Sequence, residues 1–282
     1  MKVKISADST CDLSAELVEK YDVGITPLSV IMGQRSGRDG VDVFPEDIYA
    51  YVAASGTLPK TSAVNTADYY RQFRQWTELG YGVVHFSLGG KFSSSCQNAR
   101  LAAQALDNVY VVDSCNLSTG QGLLVLMGAE LARQGKDPAE ICSLCQNAAP
   151  RVEASFLIDT MDHLYKGGRC SGLAAFGANL LNIKPCIEVR DGAMEPSRRY
   201  RGRIEKVIVQ YVRDRLQGRT DIDTHRIFVT HSSFPEEGVK EVIAAIRELQ
   251  PGFEEILETS AGSVVTTHCG PNTLGVLFLR RE

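Results

Sequence analysis

The clearest fold signal in the sequence is a short apolar stretch, Val83-Val84-His85-Phe86, which is typical of a strand covered on both faces. A hydroxyl-rich turn, Ser93-Ser94-Ser95, follows it, and a helix is predicted from Ser95 to Leu106. The next strand is predicted at Val109–Val112. A strand, a helix and another strand in this order predict a parallel sheet with helices on its faces.

The same alternation continues on both sides of this unit. Strands are predicted at Val3–Ser6 and Ile25–Met32, and an apolar helix buried on most sides is predicted at Gly120–Arg133. Further helices are predicted at Ser14–Tyr21, Pro45–Ala54 and Thr66–Leu79, the last with Thr66 as its cap. We therefore predict an N-terminal three-layer α/β domain with a parallel sheet, where ligands bind beyond the carboxyl ends of the strands.

The second half of the chain contains more consecutive strands. Strands are predicted at Ala154–Ile158 and Asn182–Val189, and Asp191-Gly192 is a hairpin signal that leads into a partner strand. Other predicted elements are a helix at Ile204–Leu216, a helix from the capping box Ser233-Phe234-Pro235-Glu236 to Leu249, and strands at His225–Thr230, Glu255–Glu258, Val264–Thr267 and Gly275–Leu279. This order predicts a smaller mixed-sheet α+β domain, with the chain divided into residues 1–157 and 158–282.

Composition and charge exclude several classes of protein. The chain has 282 residues and a formal net charge of −4, which argues against nucleic acid as the partner. No apolar run approaches the roughly 18 residues that a membrane-spanning helix needs, so no stable membrane insertion is expected. The N-terminal residues Met1–Asp8 turn polar too early for a secretory signal. We expect a cytoplasmic protein.

The cysteines do not follow a disulfide or metal-binding pattern. The close pair Cys142 and Cys145 comes after Asp137-Pro138-Ala139-Glu140, which predicts a capped helix start. A pair inside a helix is not a thioredoxin-type motif, and no second pair of metal ligands lies nearby in the sequence. We expect reduced structural thiols and no metal.

Motifs for catalysis are weak. Neither the phosphate-binding loop of nucleotide hydrolases nor the dinucleotide fingerprint occurs. The nearest match to a nucleophile elbow is His85-Phe86-Ser87-Leu88-Gly89, which has histidine where the motif needs glycine. A stand-alone serine hydrolase acting on acyl substrates, with Ser87 or Ser93 as nucleophile and His268 as base, is the alternative function.

Hydroxyl side chains cluster at predicted turns near strand ends. Lys60-Thr61-Ser62-Ala63 precedes one predicted helix, and Ser93-Ser94-Ser95 begins another. Because one hydroxyl is enough to cap a helix, the surplus indicates a site for a carboxylate or phosphate, with capping alone as the alternative. His268-Cys269-Gly270-Pro271 would place an imidazole at a strand end where ligands bind, and a structural histidine is the alternative there.

A series of short motifs runs along nearly the whole chain: Ala7-Asp8-Ser9-Thr10-Cys11-Asp12-Leu13, Thr61-Ser62, Phe92-Ser93-Ser94-Ser95, Val112-Asp113-Ser114, Leu164-Tyr165-Lys166-Gly167-Gly168-Arg169-Cys170-Ser171, Ile183-Lys184-Pro185, Arg201-Gly202-Arg203 and His268-Cys269-Gly270-Pro271. In this order they resemble the DegV family of bacterial fatty-acid-binding proteins. Two positions depart from the family pattern. Ser94 replaces a usual glycine, so the turn must accept a Cβ, and Asn272 stands where a further glycine is common.

The resemblance implies two α/β domains that hold a long-chain fatty acid and present it to a fatty acid kinase, which phosphorylates the carboxylate to an acyl phosphate. ATP and Mg²⁺ would belong to the kinase, so this chain would have no cofactor and no catalytic residue. The resemblance assigns the carboxylate to hydroxyl and imidazole groups: Thr61, Ser62, Ser93, Ser95 and His268. Arg169 and Arg201 would contact the kinase or the acyl phosphate.

An apolar stretch after Arg169 is a candidate lining for the acyl tail: Leu173, Phe176, Leu180, Leu181 and Ile183. Ordinary core packing is the alternative for each of these side chains. Each buried CH₂ contributes roughly 0.8 kcal/mol, so a tail of about sixteen carbons supplies on the order of 10 kcal/mol before the cost of association.

Overall fold

The strands form three sheets. This is a computed structural model, and it describes residues 1–170, 172 and 182–282. Within these residues the sheets have four, six and three strands. The strands are β1 (Lys2–Asp8), β2 (Gly24–Thr26), β3 (Ser29–Met32), β4 (Arg35–Arg38), β5 (Lys60–Ser62), β6 (Tyr81–Ser87), β7 (Val109–Asp113), β8 (Val152–Leu157), β9 (Ile183–Arg190), β10 (Ala193–Arg201), β11 (Ile222–Ser232), β12 (Glu255–Ser260) and β13 (Thr273–Arg280).

Helices connect most of these strands. They are α1 (Ala15–Lys20), α2 (Pro45–Ser55), α3 (Thr66–Thr77), α4 (Ser95–Ala103), α5 (Ser118–Arg133), α6 (Pro138–Ala148), α7 (Asp162–Gly167), α8 (Ile204–Leu216), α9 (Glu236–Leu249) and α10 (Ser263–Cys269). Single 3₁₀ turns occupy Ser9–Cys11 and Ala149–Arg151. The helix predicted to start at Asp137-Pro138 is α6, and the Asp137 side chain caps it by accepting the Glu140 N–H at 2.9 Å.

The four-stranded sheet is parallel, with the order β2-β1-β6-β7. Val83 of β6 packs in one core with Tyr69 and Phe73 of α3, whereas its neighbour Val84 packs in another core with Leu124 of α5. Because successive strand residues point to opposite faces, helices cover both faces of this sheet. The predicted three-layer arrangement of the N-terminal half is confirmed.

The six-stranded sheet is mixed, with the order β10-β9-β8-β13-β11-β12. Only the β11–β12 pairing in it is parallel, and the other pairings are antiparallel. The predicted hairpin joins β9 to β10 through Asp191 and Gly192, with φ of 49° and 73°, as a tight hairpin turn requires. Helices α8 and α9 cover one face, where Ile208 and Val242 pack with Phe278. The predicted mixed-sheet fold of the second half is confirmed.

Helix α5 lies between the two larger sheets. One core contains Ile5 of β1, Leu123 of α5 and Leu277 of β13. This explains why the sequence of α5 is apolar on most sides, as predicted. Strand β8 pairs with β9 and β13, so the strand just before the predicted division at residue 157 belongs to the six-stranded sheet. The division into two domains stays a prediction.

Two predicted strands are wrong. The stretch Ile25–Met32 is split between β2 of the parallel sheet and β3 of the three-stranded sheet. Pro27 lies at the break, and proline cannot donate a ladder hydrogen bond. The predicted strand Val264–Thr267 is instead part of helix α10. Its β-branched residues favour a strand locally, so a tertiary contact described below must favour the helix.

Two predicted helix starts also differ. The side chain of Asn65, rather than that of Thr66, caps α3 by accepting the Asp68 N–H. The capping box at Ser233 does not form, because Ser233 has a φ of 49° and α9 begins only at Glu236. In both cases the predicted and observed helix starts differ by a few residues, and the helix itself is present as predicted.

The described residues give two further results. No helix within residues 1–170 or 182–282 has the length and apolar character needed to cross a membrane. In the same part of the chain, no three histidine, cysteine, aspartate or glutamate residues are grouped so that they could hold a metal ion. The pair Cys142 and Cys145 lies inside α6, as predicted.

Candidate functional site

A cavity contains most of the predicted site residues. We call it the first cavity. Its described lining is Thr10, Leu28, Thr61, Ser62, Ala63, Leu88, Phe92, Ser93, Leu117, Arg169, Met194, Val264, Val265, His268 and Cys269. Thr10 and Leu88 lie just beyond the carboxyl ends of β1 and β6. The cavity is therefore where the parallel sheet predicts a ligand site.

Thr61 and Ser62 reach the first cavity from a strand. They belong to β5, which pairs with β3, and not to a helix start as the sequence pattern predicts. Thr61 is opposite Val30, and its Oγ1 lies 2.9 Å from His268 Nε2. The third, three-stranded sheet is not predicted from the sequence, and it is what places these hydroxyls against α10.

His268 lies in the last turn of α10 and contributes an uncharged imidazole. Burial, together with the smaller effects of the nearby Arg169 and His163, lowers its pKa to about 4. Its Nδ1 is buried without a hydrogen-bond partner among the described residues. Gly167 packs against this edge, where a Cβ would lie 2.5 Å from Nδ1. The imidazole is thus neutral near pH 7, and its Nε2 is shared with Thr61.

Ser93 and Ser95 form a small hydrogen-bonded turn at the start of α4. The Ser93 Oγ accepts the Ser95 N–H at 3.1 Å and lies 3.0 Å from the Ser95 Oγ. Ser93 lines the first cavity, whereas Ser95 is fully buried behind it and is not part of the lining. Ser94 has a φ of −74°, an ordinary right-handed value, so its Cβ causes no backbone strain there. Asn272, with a φ of 54°, adopts the left-handed conformation expected of it.

A buried carboxylate, Asp8, organises the strand ends behind the cavity. It accepts hydrogen bonds from the Ser87 hydroxyl and the Leu88 N–H, each at 2.8 Å, and from the Tyr69 hydroxyl. His85 Nε2 lies 3.2 Å from Asp8. Asp8 belongs to the motif Ala7–Leu13, but its role as a hydrogen-bond acceptor at the strand ends is not predicted from the sequence. Its place at the end of β1 is the one local feature that indicates a role.

This arrangement does not provide the hydrolase that the sequence leaves as an alternative. Ser87 is fully buried, and its hydroxyl hydrogen is donated to Asp8. Ser93 is hydrogen-bonded to Ser95, and His268 Nε2 faces Thr61. Within residues 1–170, 172 and 182–282, no serine hydroxyl is hydrogen-bonded to His268, so the geometry does not favour serine nucleophilic catalysis.

The two predicted arginines lie at different places. Arg169 lines the first cavity, and its Nη1 donates to the Gly167 carbonyl at 2.6 Å. Arg201 is exposed at the end of β10 and is not among the described lining residues. The structure therefore brings a single predicted arginine to the cavity, where it is the one described cationic side chain in the lining.

A second cavity adjoins the first one. Leu117, Val265 and Cys269 line both. The second cavity lies between α5, α10 and the six-stranded sheet, and most of its lining comes from the strands. Gly275 of β13 is part of this lining, and β13 lies close to β8 there, since a Cβ at Gly275 would approach the Ser155 carbonyl oxygen to 2.6 Å. The second cavity, lined mainly by apolar side chains, thus adjoins the first cavity, whose lining contains the hydroxyls.

Of the five residues predicted from the sequence to line the acyl tail, the structure describes one, Ile183. Leu173, Phe176, Leu180 and Leu181 lie outside the described residues. Ile183 begins β9, is partly buried, and is not in the described lining of either cavity. Strand residues of the second half, such as Phe156 and Leu277, line the second cavity instead. No local pattern distinguishes these two from ordinary core residues.

Two further buried carboxylates hold helix α10, and the sequence analysis did not identify them as a pair. Asp12 accepts the Gly262 N–H at 2.9 Å, and Asp39 accepts the Ser263 N–H at 2.8 Å. Burial raises the pKa of Asp12 to about 8 and also raises the pKa of Asp39. These carboxylates provide the cap that makes the β-branched segment helical, and they thereby place His268 in the cavity wall.

Comparison with known proteins gives matches along the whole chain. The sequence model of the DegV family matches residues 2–281. A fatty acid-binding protein of Thermotoga maritima is 32% identical over 284 residues, which cover 98% of this chain and 96% of the relative. The crystal structure of a DegV lipid-binding protein from the same organism is 30% identical, with a TM-score of 0.87 and coverage of 100% of both chains. A DegV family protein from Thermus thermophilus, described for its fatty acid binding, is also 30% identical, with a TM-score of 0.87 and coverage of 99% of this chain and 100% of that one.

Proposed function

Since the chain belongs to the DegV family, we propose that it binds a long-chain fatty acid and presents the carboxylate to a partner fatty acid kinase. The observation that carries the proposal is the shape and chemistry of the two joined cavities. Hydroxyls and one arginine line the first cavity, and the adjoining second cavity is lined mainly by apolar side chains. Relatives described as fatty acid-binding or lipid-binding proteins, similar over the whole chain, support the same ligand class.

The carboxylate would bind at the hydroxyl end. Thr61, Ser62 and Ser93 are hydroxyl donors in the lining, and neutral His268 supports Thr61 from behind. Arg169 lies in the same lining but is an exposed side chain. A carboxylate held mainly by neutral donors keeps more of its nucleophilic character than one held by a bidentate arginine pair, which would stabilise the ground-state anion.

The tail would lie in the apolar space that runs from Leu88 and Phe92 to the second cavity. Each CH₂ removed from water contributes roughly 0.8 kcal/mol, so the tail supplies most of the affinity. The hydroxyl groups then fix the position of the acid group, because they add direction more than free energy. This division suits a protein that must hold a lipid firmly and still expose its head group to another enzyme.

The kinase would supply ATP and Mg²⁺, and this chain would turn over nothing alone in the cytoplasm. Arg169, at the cavity, and Arg201, exposed on β10, are the residues that we propose as contacts for the kinase or for the acyl phosphate. The proposal assigns no catalytic residue to this chain.

Alanine substitution of the lining donors tests the proposal. For Ser93→Ala and Thr61→Ala we expect fatty acid affinity to fall by a factor that corresponds to about 1–3 kcal/mol, because the acid group loses a donor. His268→Ala should lower kinase-coupled phosphorylation more than lipid retention, if the imidazole stabilises charge that develops at the acyl group. Titration with a fluorescent fatty acid and a coupled kinase assay measure the two effects.

Ser94→Ala is the matched control, since Ser94 is exposed beside Ser93 and outside the described cavity lining. It should bind and support phosphorylation like the wild type. Wild-type behaviour of all three lining variants would mean that the acid group binds elsewhere. Acyl phosphate formation by the isolated chain, or covalent labelling of one serine by a phosphonate, would contradict the non-catalytic role.

A further inference from the structure

A wide polar cleft lies beyond the second cavity. It lies between the six-stranded sheet and the segments that follow β7 and α6. Its described lining includes four arginines and two glutamates: Arg190, Arg215, Arg219, Arg280, Glu153 and Glu188. The cleft is thus opposite in character to the apolar cavity next to it.

The charged groups of this cleft are paired with one another. Glu153 accepts hydrogen bonds from Arg215 at 2.8 Å and from Arg219 at 2.8 and 3.0 Å. Glu188 accepts from Arg190 at 2.8 Å and lies 2.9 Å from Arg215. A hydrocarbon chain that entered here would displace water from this ion-pair network, and it would find fewer apolar partners than in the second cavity, although Pro150 and Val152 also line the cleft.

Two residues separate this cleft from the second cavity. Among the described residues, Ala154 of β8 and Val189 of β9 are the ones that line both spaces. Ser155 is paired with Glu188 across the two strands, so Ala154 and Val189 are the next cross-strand neighbours. Ala154 is 3% exposed and its Cβ packs towards Gly120 of α5. Ala154 and Val189 together make a thin apolar wall between the second cavity and the cleft.

We propose that Ala154 and Val189 form a floor that sets the length of the acyl chain this protein holds. The inference rests on the proposed function, because it takes the fatty acid tail to enter the second cavity from the first. Each methylene that fits above the floor raises affinity by about fourfold. A methylene beyond the floor meets the paired charges of the cleft and gains less, so affinity rises less steeply with chain length from that point. We call the chain length at which the slope changes the break.

The test is the affinity of delipidated protein for saturated fatty acids of increasing chain length, measured by displacement of a fluorescent fatty acid. In Ala154→Val, two added methyl groups fill the space above the floor. We expect the break to move to chains shorter by one or two carbons, with affinity for still shorter chains unchanged. A merely structural defect would instead lower affinity for all chain lengths by the same factor.

Ala193→Val is the matched control, because Ala193 is on β10 of the same sheet and is not in the described lining of the second cavity or the cleft. In the Ala193→Val protein, the break should occur at the same fatty acid chain length as in the wild type. Val189→Ala provides a second, independent variant if Ala154→Val does not fold. There the added space should move the break to longer chains.

The outcomes separate the two proposals. A break that stays in place in the folded variants, or a loss of affinity that is equal for all chain lengths, overturns the floor and leaves the fatty acid site intact. Failure of the wild-type protein to bind any chain length overturns the proposed function itself.

Discussion

At the scale of single residues, Asp12 and Asp39 are the unusual groups. Both carboxylates are directed at the first N–H groups of α10, and hydroxyls of Ser118 and Ser9 donate to them at 2.6 and 2.7 Å. Among the described residues, the groups with the largest effects on the pKa of either carboxyl include no cation. Since burial without a countercharge disfavours the ionised form, the folded protein holds a proton at Asp12 that the unfolded chain releases.

This proton makes the stability of the protein depend on pH. The folded pKa of Asp12, about 8, is above the unfolded value of 3.8, so the folded state binds more protons between these values. The stability of the wild type should therefore fall as the pH rises from 5 to 8. Asp12→Asn, which keeps an acceptor for Gly262, lacks this dependence. Urea unfolding at pH 5 and pH 8 measures the difference, which should favour the variant at pH 8 by on the order of a few kcal/mol.

The same experiment contains its own control. His268, whose pKa is lowered, produces the opposite dependence below about pH 6.5, and it is present in both proteins. The comparison of wild type with variant cancels that contribution. A constant difference between the two proteins from pH 5 to pH 8 would mean that Asp12 is ionised in the folded state.

At the scale of secondary structure, β13 is shaped by a glycine. A Cβ at Gly275 would lie 2.6 Å from the Ser155 carbonyl oxygen and 2.9 Å from the Phe156 Cβ. We expect Gly275→Ala to destabilise the protein by about 1–3 kcal/mol, because β13 and β8 must move apart. In Gly252→Ala, the control, the nearest atom is Thr224 Cγ2 at 3.6 Å, so unfolding by urea should change little. Equal stability of the two variants would contradict the tight strand approach.

The elements also show what the sequence could and could not predict. The parallel sheet and the β9–β10 hairpin follow from local patterns, apolar runs and Asp191-Gly192. Helix α10 was missed because its cap comes from Asp12 and Asp39, more than 200 residues away in the chain. The hydroxyl-rich motifs are sufficient to predict Thr61 and Ser93 as site residues. The strand that carries Thr61 is not predictable, because it depends on pairing with β3, about 30 residues earlier in the chain. Local propensity does not contain such distant contacts.

At the scale of the whole molecule, the proposed ligand would contact both halves of the chain. The lining of the first cavity combines Thr61 and Ser93 with Met194 and His268. A fatty acid bound there should stabilise the folded state by about 2.7 kcal/mol at a concentration of 100 times Kd. We expect the Tm of delipidated protein to rise by on the order of 5 °C on addition of palmitate.

Differential scanning fluorimetry measures this rise, with acetate at the same concentration as the control ligand. Acetate offers the carboxylate without the tail and should leave the Tm unchanged. An equal rise with acetate would place the stabilisation in the head group alone, and no rise with palmitate would contradict binding between the two halves.

The position of β13 has a consequence for synthesis on the ribosome. This strand follows the other described strands in the chain, yet it lies in the middle of the six-stranded sheet, between β8 and β11. Strand β8 therefore emerges roughly a hundred residues before its partner, a delay on the order of ten seconds at usual translation rates. During that interval the parallel sheet can already cover one side of α5, whereas Leu277 of β13, which packs in the same core, has not yet been made. A nascent chain of this protein thus leaves the side of α5 that contacts β13 uncovered by that strand until β13 emerges.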